Sequence, residues 1–233
     1  MDAAKHLKGM AYHEAARAVV AYRQPTMYAN GLTFDDVFKC TVMLAHMFNW
    51  GAFNGWETYA MAFLLYDATV ANFLQILAAV DGFLEKSLTH FREKGIDLAE
   101  IVEARLVPDM LPFRFQIASV AHHSRGAMEA AKNGVFSPSS GKPDLDYAAL
   151  QALVTEARKE LSALTPEAVN ALVGNDVTFK FGERALPFTA EGFLMSFSLP
   201  NFFFHATTAY DILRHKGAPL GKRDFMGRLK LKG

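Results

Sequence analysis

Six residues near the C-terminus, Leu194, Ser198, Asn201, His205, Thr208 and Ile212, recur at steps of three or four. On a helix that spacing lays them along one stripe, with four polar groups in line between apolar ends. Phe202, Phe203 and Phe204 surround the stripe with aromatic bulk, which predicts deep burial. Buried polar groups need partners, and here these are each other, water or a ligand. Pro200 lacks an N–H, so the Ser196 carbonyl loses its helical donor and the helix is expected to kink just before Asn201. Upstream, Gln116, Val120, His123 and Ala127 share one helical face, while His122 lies about 100° away with Phe115 and Ser119. Asp67 is nearly aligned with Ala71, Leu74 and Asp81, a position from which it could orient a histidine or complete a metal site from across a bundle.

A second stretch invites a metal reading and does not sustain it. His13, Glu14, Ala15, Ala16 and Arg17 have the length of the unit in which two histidines at i and i+4 hold zinc and a glutamate activates its water. The second ligand is an arginine, a permanent cation with no lone pair to give. Active zinc proteolysis is therefore not expected of this segment.

These residues must be held by elements that the chain has ample material to build. Of 233 residues 51% are hydrophobic and 12% aromatic, enough for a sizeable core. Lysine plus arginine equal aspartate plus glutamate at 24 each, so no global field draws the protein to nucleic acid or an anionic membrane. A small-molecule ligand or a protein partner fits better. The single cysteine, Cys40, excludes an internal disulfide and suits a reducing compartment, and the charged N-terminus predicts no export signal, so a cytoplasmic location is expected. The longest uncharged run, Cys40 to Trp56, is interrupted by Asn49, Gly51, Asn54 and Gly55 and predicts no membrane span.

The helical pattern is clear along most of the chain. Residues 2–23 and about 34–48 read as helices, followed by the breaker-rich loop NWGAFNG. From Glu57 to Lys94 apolar residues recur at steps of three and four with no proline, predicting a long amphipathic helix. Asp97 caps a short helix, and Pro108 and Pro112 flank the entry to a second long one that Gly134 stops. SPSSGKPD is a surface loop, DYAALQALVTEARKELSAL a third long helix, and TPEA a short capped one. VTFKF and ALPF around GER alternate as a hairpin. Thr189 caps the last long helix, 190–216, before Gly217 and Pro219. Four long helices with returning connections predict an all-α fold, a four-helix bundle. In the basic tail, GKRDF reads as a docking segment in which Phe225 reinserts while its charges stay wet.

The segment SLPNFFFHATTAYDILRHKGAPLGKRDFMG, together with LLYDATVANFLQIL, ARLVPDMLPFRFQIASVAHHSRGA and VTFKFGERALPF, resembles a bacterial domain-of-unknown-function family in the DinB/YfiT-like superfamily over about residues 62–227. The resemblance implies a DinB-like four-helix bundle with a small β-hairpin before the last helix, often dimeric. Residues 1–60 are then an N-terminal helical extension and 61–233 the bundle domain. Better-known relatives bind a divalent metal through three histidines and include thiol-dependent transferases and isomerases. Carried over, the resemblance implies His123, Asn201 and His205 as metal ligands, with Asp67 and His122 as further candidates. Asn201 stands where a histidine is usual, and an amide oxygen suits magnesium better than zinc or nickel.

Two expectations follow. One is a homodimeric, divalent-metal-binding protein, holding zinc, nickel or magnesium and acting as a thiol-dependent transferase or hydrolase-like enzyme. The other is a non-catalytic dimeric bundle that binds a small ligand or is purely structural and has lost its metal. Neither involves nucleic acid or a membrane.

Overall fold

The computed structural model describes residues 64–138 and 145–232. The two N-terminal helices expected from sequence, the HEAAR segment, Cys40 and most of the SPSSGKPD loop lie outside the described residues.

Long helices dominate. Helix α1 (Leu65–Ala68) and α2 (Val70–Glu93) are one run broken at Thr69, whose backbone leaves helical geometry and whose hydroxyl donates to the Leu65 carbonyl at 2.6 Å. The buried face of α2 carries Phe73, Leu77, Val80, Leu84 and Phe91, close to the spacing read from sequence. By length and composition Leu65–Glu93 is also apolar enough to cross a membrane, and 56% of its most apolar stretch is buried within the protein. That apolar face is the core face of the bundle.

Asp97 caps α3 (Leu98–Val102), accepting from the Ala99 N–H at 2.9 Å. After Pro112 comes α4 (Phe113–Ala121), then a π turn at His122–Gly126, then α5 (Ala127–Asn133) ending at Gly134 with φ 81°. Helix α6 (Tyr147–Ser162) is capped by Asp146, and α7 (Pro166–Asn170) by Thr165 as its sequence signal predicts. Thr189 caps α8 (Ala190–Phe193), a second π turn follows at Leu194–Ser198, and α9 (Leu199–His215) completes the last long helix. Helix α10 (Lys222–Met226) folds the tail back. Phe225 meets Tyr210 edge-on at 5.7 Å and Lys86 reaches Asp224 at 3.0 Å, so the docking expectation for this segment holds.

The sequence predicts a hairpin, and the described residues add a third strand to it. β2 (Asp176–Phe181) pairs antiparallel with β3 (Arg184–Thr189), Val177 opposite Phe188 and Phe179 opposite Leu186. β1 (Val135–Phe136) lies parallel on the other side of β2, with Phe136 opposite Phe179. Two residues are too short a run for alternation to register, which is why β1 escapes a pattern search. The little sheet carries Phe136, Phe179 and Phe188 onto Phe193 and Phe197, an aromatic cluster that backs the last long helix.

Candidate functional site

The two π turns face each other, and both have local causes. In the first, the Ser124 hydroxyl bonds back to the Val120 carbonyl at 2.7 Å and the Ala121 carbonyl at 3.2 Å, and Gly126 follows. In the second, Ser196 bonds back to the Gly192 carbonyl and Pro200 brings no N–H. Hydroxyl back-bonding and a missing donor both loosen the α-helical ladder, and a wider turn absorbs the slack. The expected kink at Pro200 thus takes the form of a widened turn just upstream. Ser198, buried at the end of that turn, donates to the His123 carbonyl at 2.8 Å and joins the two irregularities.

The arrangement brings His123 and His205 together. Their ring centroids are 5.7 Å apart with planes 16° from parallel. With metal–nitrogen bonds of about 2.0–2.1 Å, two imidazoles on one tetrahedral ion have centroids roughly 5 Å apart, so the spacing is close to that of a shared ion, while the stacked rings must turn for their in-plane lone pairs to converge on it. His123 is 8% exposed, and its Nδ1 finds no hydrogen-bond partner among the described residues. Phe136 and Phe197 wall it at 5.4 and 5.7 Å. Half-buried His205 lies between Phe115 and the exposed Phe204, and its Nδ1 is 2.7 Å from Oε1 of Gln116. Gln116 is itself buried and donates through Nε2 to the Leu111 carbonyl at 2.8 Å.

Burial, with His205 and His122 beside it, holds the His123 imidazole down at about 3. Burial likewise brings His205 to about 4. Both rings are neutral near pH 7, and a neutral imidazole keeps one lone pair for an ion or a donor.

The remaining sequence candidates are placed differently. Asn201 is half-buried, one turn before His205, and its Nδ2 donates to the Phe197 carbonyl at 2.7 Å, so only its oxygen could serve an ion. His122 points away from the pair: its Nε2 donates to the Ser137 carbonyl at 2.8 Å and its ring stacks on Phe136 at 4.4 Å. There it lines a separate pocket of about 400 Å³ with Glu129 and Asn133. Asp67 is exposed on α1. Among the described residues no three of His, Cys, Asp or Glu converge to hold an ion, so neither Asp67 nor His122 completes a set with His123 and His205. The reason is rotational: Asp67 lies before the break at Thr69, which separates its turn from the face that α2 buries. Thr208, the next polar group of the stripe, is buried and satisfied by its own helix through the Phe204 carbonyl at 2.8 Å.

Gln116 is the residue that a search for ligands passes over. It lies two helical turns before His123 on the same face, and that i, i+7 relation is the signal that could have found it. The candidate donors are the two neutral imidazoles and, one helical turn from His205, the Asn201 amide oxygen. They fit a divalent ion of intermediate softness such as zinc or nickel, with positions left open, better than magnesium, which asks for oxygen ligands.

The family described as Domain of unknown function (DUF1993) matches residues 65–226. Among solved structures, that of a DinB family member protein from Shewanella denitrificans is similar, with a TM-score of 0.61 at 22% sequence identity, covering 72% of this chain and 95% of that one. At that identity the likeness speaks for the fold alone. No curated protein matches the chain.

Proposed function

The chain belongs to the DUF1993 family and has a DinB-like fold, and from that premise we propose that it binds a divalent metal ion between its second and last long helices. One observation carries the reading: two neutral imidazoles from different helices, His123 buried and His205 half-buried, stand 5.7 Å apart, the first with no partner for its Nδ1 among the described residues and the second held by Gln116. His123 and His205 would be the ligands, with the Asn201 oxygen completing the set. A bound ion would polarise a substrate oxygen or sulfur, or lower the pKa of a bound water or thiol. The protein's own contribution is position and, around His123, dryness. Ser198 fixes the turn that carries His123, Phe136 and Phe197 wall its ring, and Phe115 packs on one side of His205.

The test is calorimetric titration of chelator-stripped protein with zinc, nickel and magnesium. Zinc and nickel are expected to bind one ion per chain, magnesium weakly or not at all, and His205→Ala to abolish binding. Absence of heat with both zinc and nickel, on protein that is folded by near-ultraviolet circular dichroism, overturns the proposal.

One observation favours the second reading, a bundle that binds a small ligand or is purely structural. The Asn201 amide nitrogen satisfies a carbonyl of its own loosened turn, a structural task that asks for no ion. Under that reading the imidazole lone pairs accept hydrogen bonds from a small neutral ligand, and the same titration with metal stays silent.

A further inference from the structure

We infer that Gln116 is a positioning residue that fixes His205 in its Nδ1–H tautomer, so that Nε2 carries the lone pair which the site offers to a ligand. The inference rests on the reading of His123 and His205 as a ligand-binding pair and concerns how one of them is set.

Leu111 stands before Pro112 and outside the helix that follows, where the Pro112 carbonyl takes the N–H groups of Phe115 and Gln116. The Leu111 carbonyl receives its proton from the Gln116 side chain instead, at 2.8 Å. Gln116 is 2% exposed, so no bulk water competes for that amide. A flipped amide would set Oε1 against the carbonyl oxygen, two buried acceptors with no proton between them. The amide orientation is therefore determined by Leu111, and Oε1 faces His205.

Oε1 can only accept. The His205 nitrogen 2.7 Å away must then be the donor, which makes Nδ1 the protonated atom. A neutral imidazole has a single N–H, so Nε2 is left unprotonated. The order of information runs from a backbone carbonyl, through a buried amide, to a ring nitrogen. Gln116 and His123 come from one face of the same helix run, so a single element delivers one histidine of the pair and the group that sets the other. Outer partners of this kind fix the tautomer and orientation of a ligating histidine, and their loss commonly costs 10–100-fold in metal affinity. A neutral amide does this without adding charge to the site.

The test reads the tautomer directly, on metal-free protein near neutral pH, by long-range 1H–15N correlation spectra of the histidine rings. The His205 signals are assigned by their loss in His205→Asn. In the wild type Nδ1 is expected in the protonated range and Nε2 in the unprotonated range. Gln116→Leu removes the acceptor and is expected to shift His205 toward a mixture richer in the Nε2–H form, with zinc affinity falling about 10–100-fold. Gln116→Glu keeps an acceptor and is expected to retain the Nδ1–H form, although the Leu111 carbonyl loses its donor and stability drops. A wild-type spectrum with Nε2 protonated overturns the inference, as does a folded Gln116→Leu variant with an unchanged tautomer. If Gln116→Leu does not fold, the wild-type and Gln116→Glu spectra decide alone. Silence toward both zinc and nickel with the Nδ1–H form intact rejects the metal reading and leaves the positioning role standing. Zinc binding with the wrong tautomer does the reverse.

Discussion

Acidification is the perturbation to which the paired histidines should be most sensitive. In the unfolded chain both imidazoles take a proton near their ordinary value of 6.5, whereas the folded protein holds His123 at about 3 and His205 at about 4. Between those values the unfolded state binds more protons than the folded one. The stability that neutrality confers is therefore present above about pH 6.5 and is lost as pH falls. At about pH 4.5, two units below the unfolded value, a fully buried histidine of this kind has cost about 2.7 kcal/mol. His123 should approach that figure, and half-exposed His205 should add about 1 kcal/mol, since solvent screens it. Together these come to a large part of the stability of a domain at the low end of the usual range of about 5–15 kcal/mol. The carboxylates with specific support do not confuse the window. Asp224 is held low by the Gly221 N–H and then Lys86, and Glu191 by the Gly174 N–H, so both titrate below the usual carboxylate range. The assay is urea unfolding at several pH values from about 7.5 to about 4.5 on wild type and on His123→Gln. Wild type is expected to lose stability at about 1.4 kcal/mol or more per pH unit below about pH 6, and the variant at about 1.4 kcal/mol per unit less. Parallel curves for the two proteins would refute the claim that burial holds His123 neutral.

Four further outcomes test other parts of the structure. Asn201→His supplies a third imidazole at i, i+4 from His205, and calorimetry is expected to find zinc or nickel bound at least about 10-fold more tightly than by wild type; an unchanged affinity in a folded variant means the two histidines and position 201 do not share an ion. Ser198→Ala leaves the His123 carbonyl without its donor and should cost about 1–3 kcal/mol in urea unfolding, against near-neutral behaviour if the two π turns are independent. Phe225→Ala removes a half-buried ring from Tyr210 and should cost about 2 kcal/mol, roughly half of a fully buried phenylalanine, while removal of the exposed Lys86–Asp224 pair should cost under about 1 kcal/mol. Phe204, Met195, Leu186 and Phe181 are all exposed, and multi-angle light scattering is expected to find a homodimer at about tens of micromolar; a monomer throughout that range contradicts it.

Much of the scaffold is legible in the one-dimensional pattern because helices report themselves locally. The 3.6-residue period of α2, the caps at Asp97, Asp146, Thr165 and Thr189, and the stops at Gly134 and Gly217 depend on neighbours within one turn, and a sequence displays those neighbours directly. The polar stripe through Ser198, Asn201, His205 and Thr208 was equally visible, as were the faces that separate His123 from His122. What each polar group does was not. Thr208 and Asn201 spend protons on their own helix, His122 spends its Nε2 proton on Ser137, and His205 meets His123 from across the bundle.

Those outcomes depend on how one helix is rotated and shifted against another, and periodicity carries no such information. Two π turns alter the register by a residue each, which is enough to rotate a face by about 100°. The break at Thr69 likewise detaches Asp67 from the face that its spacing suggested. β1 exists because β2 lies beside it, and Phe136 reaches the site through that pairing. Gln116 takes its meaning from a carbonyl five residues earlier and a ring 89 residues later. The amino-acid sequence by itself determined the helices, their ends and the residues able to do chemistry; tertiary structure alone decided which of them share a site, because a hydrogen bond or a ligand set is fixed by distances of a few ångströms between elements whose mutual rotation no local pattern encodes.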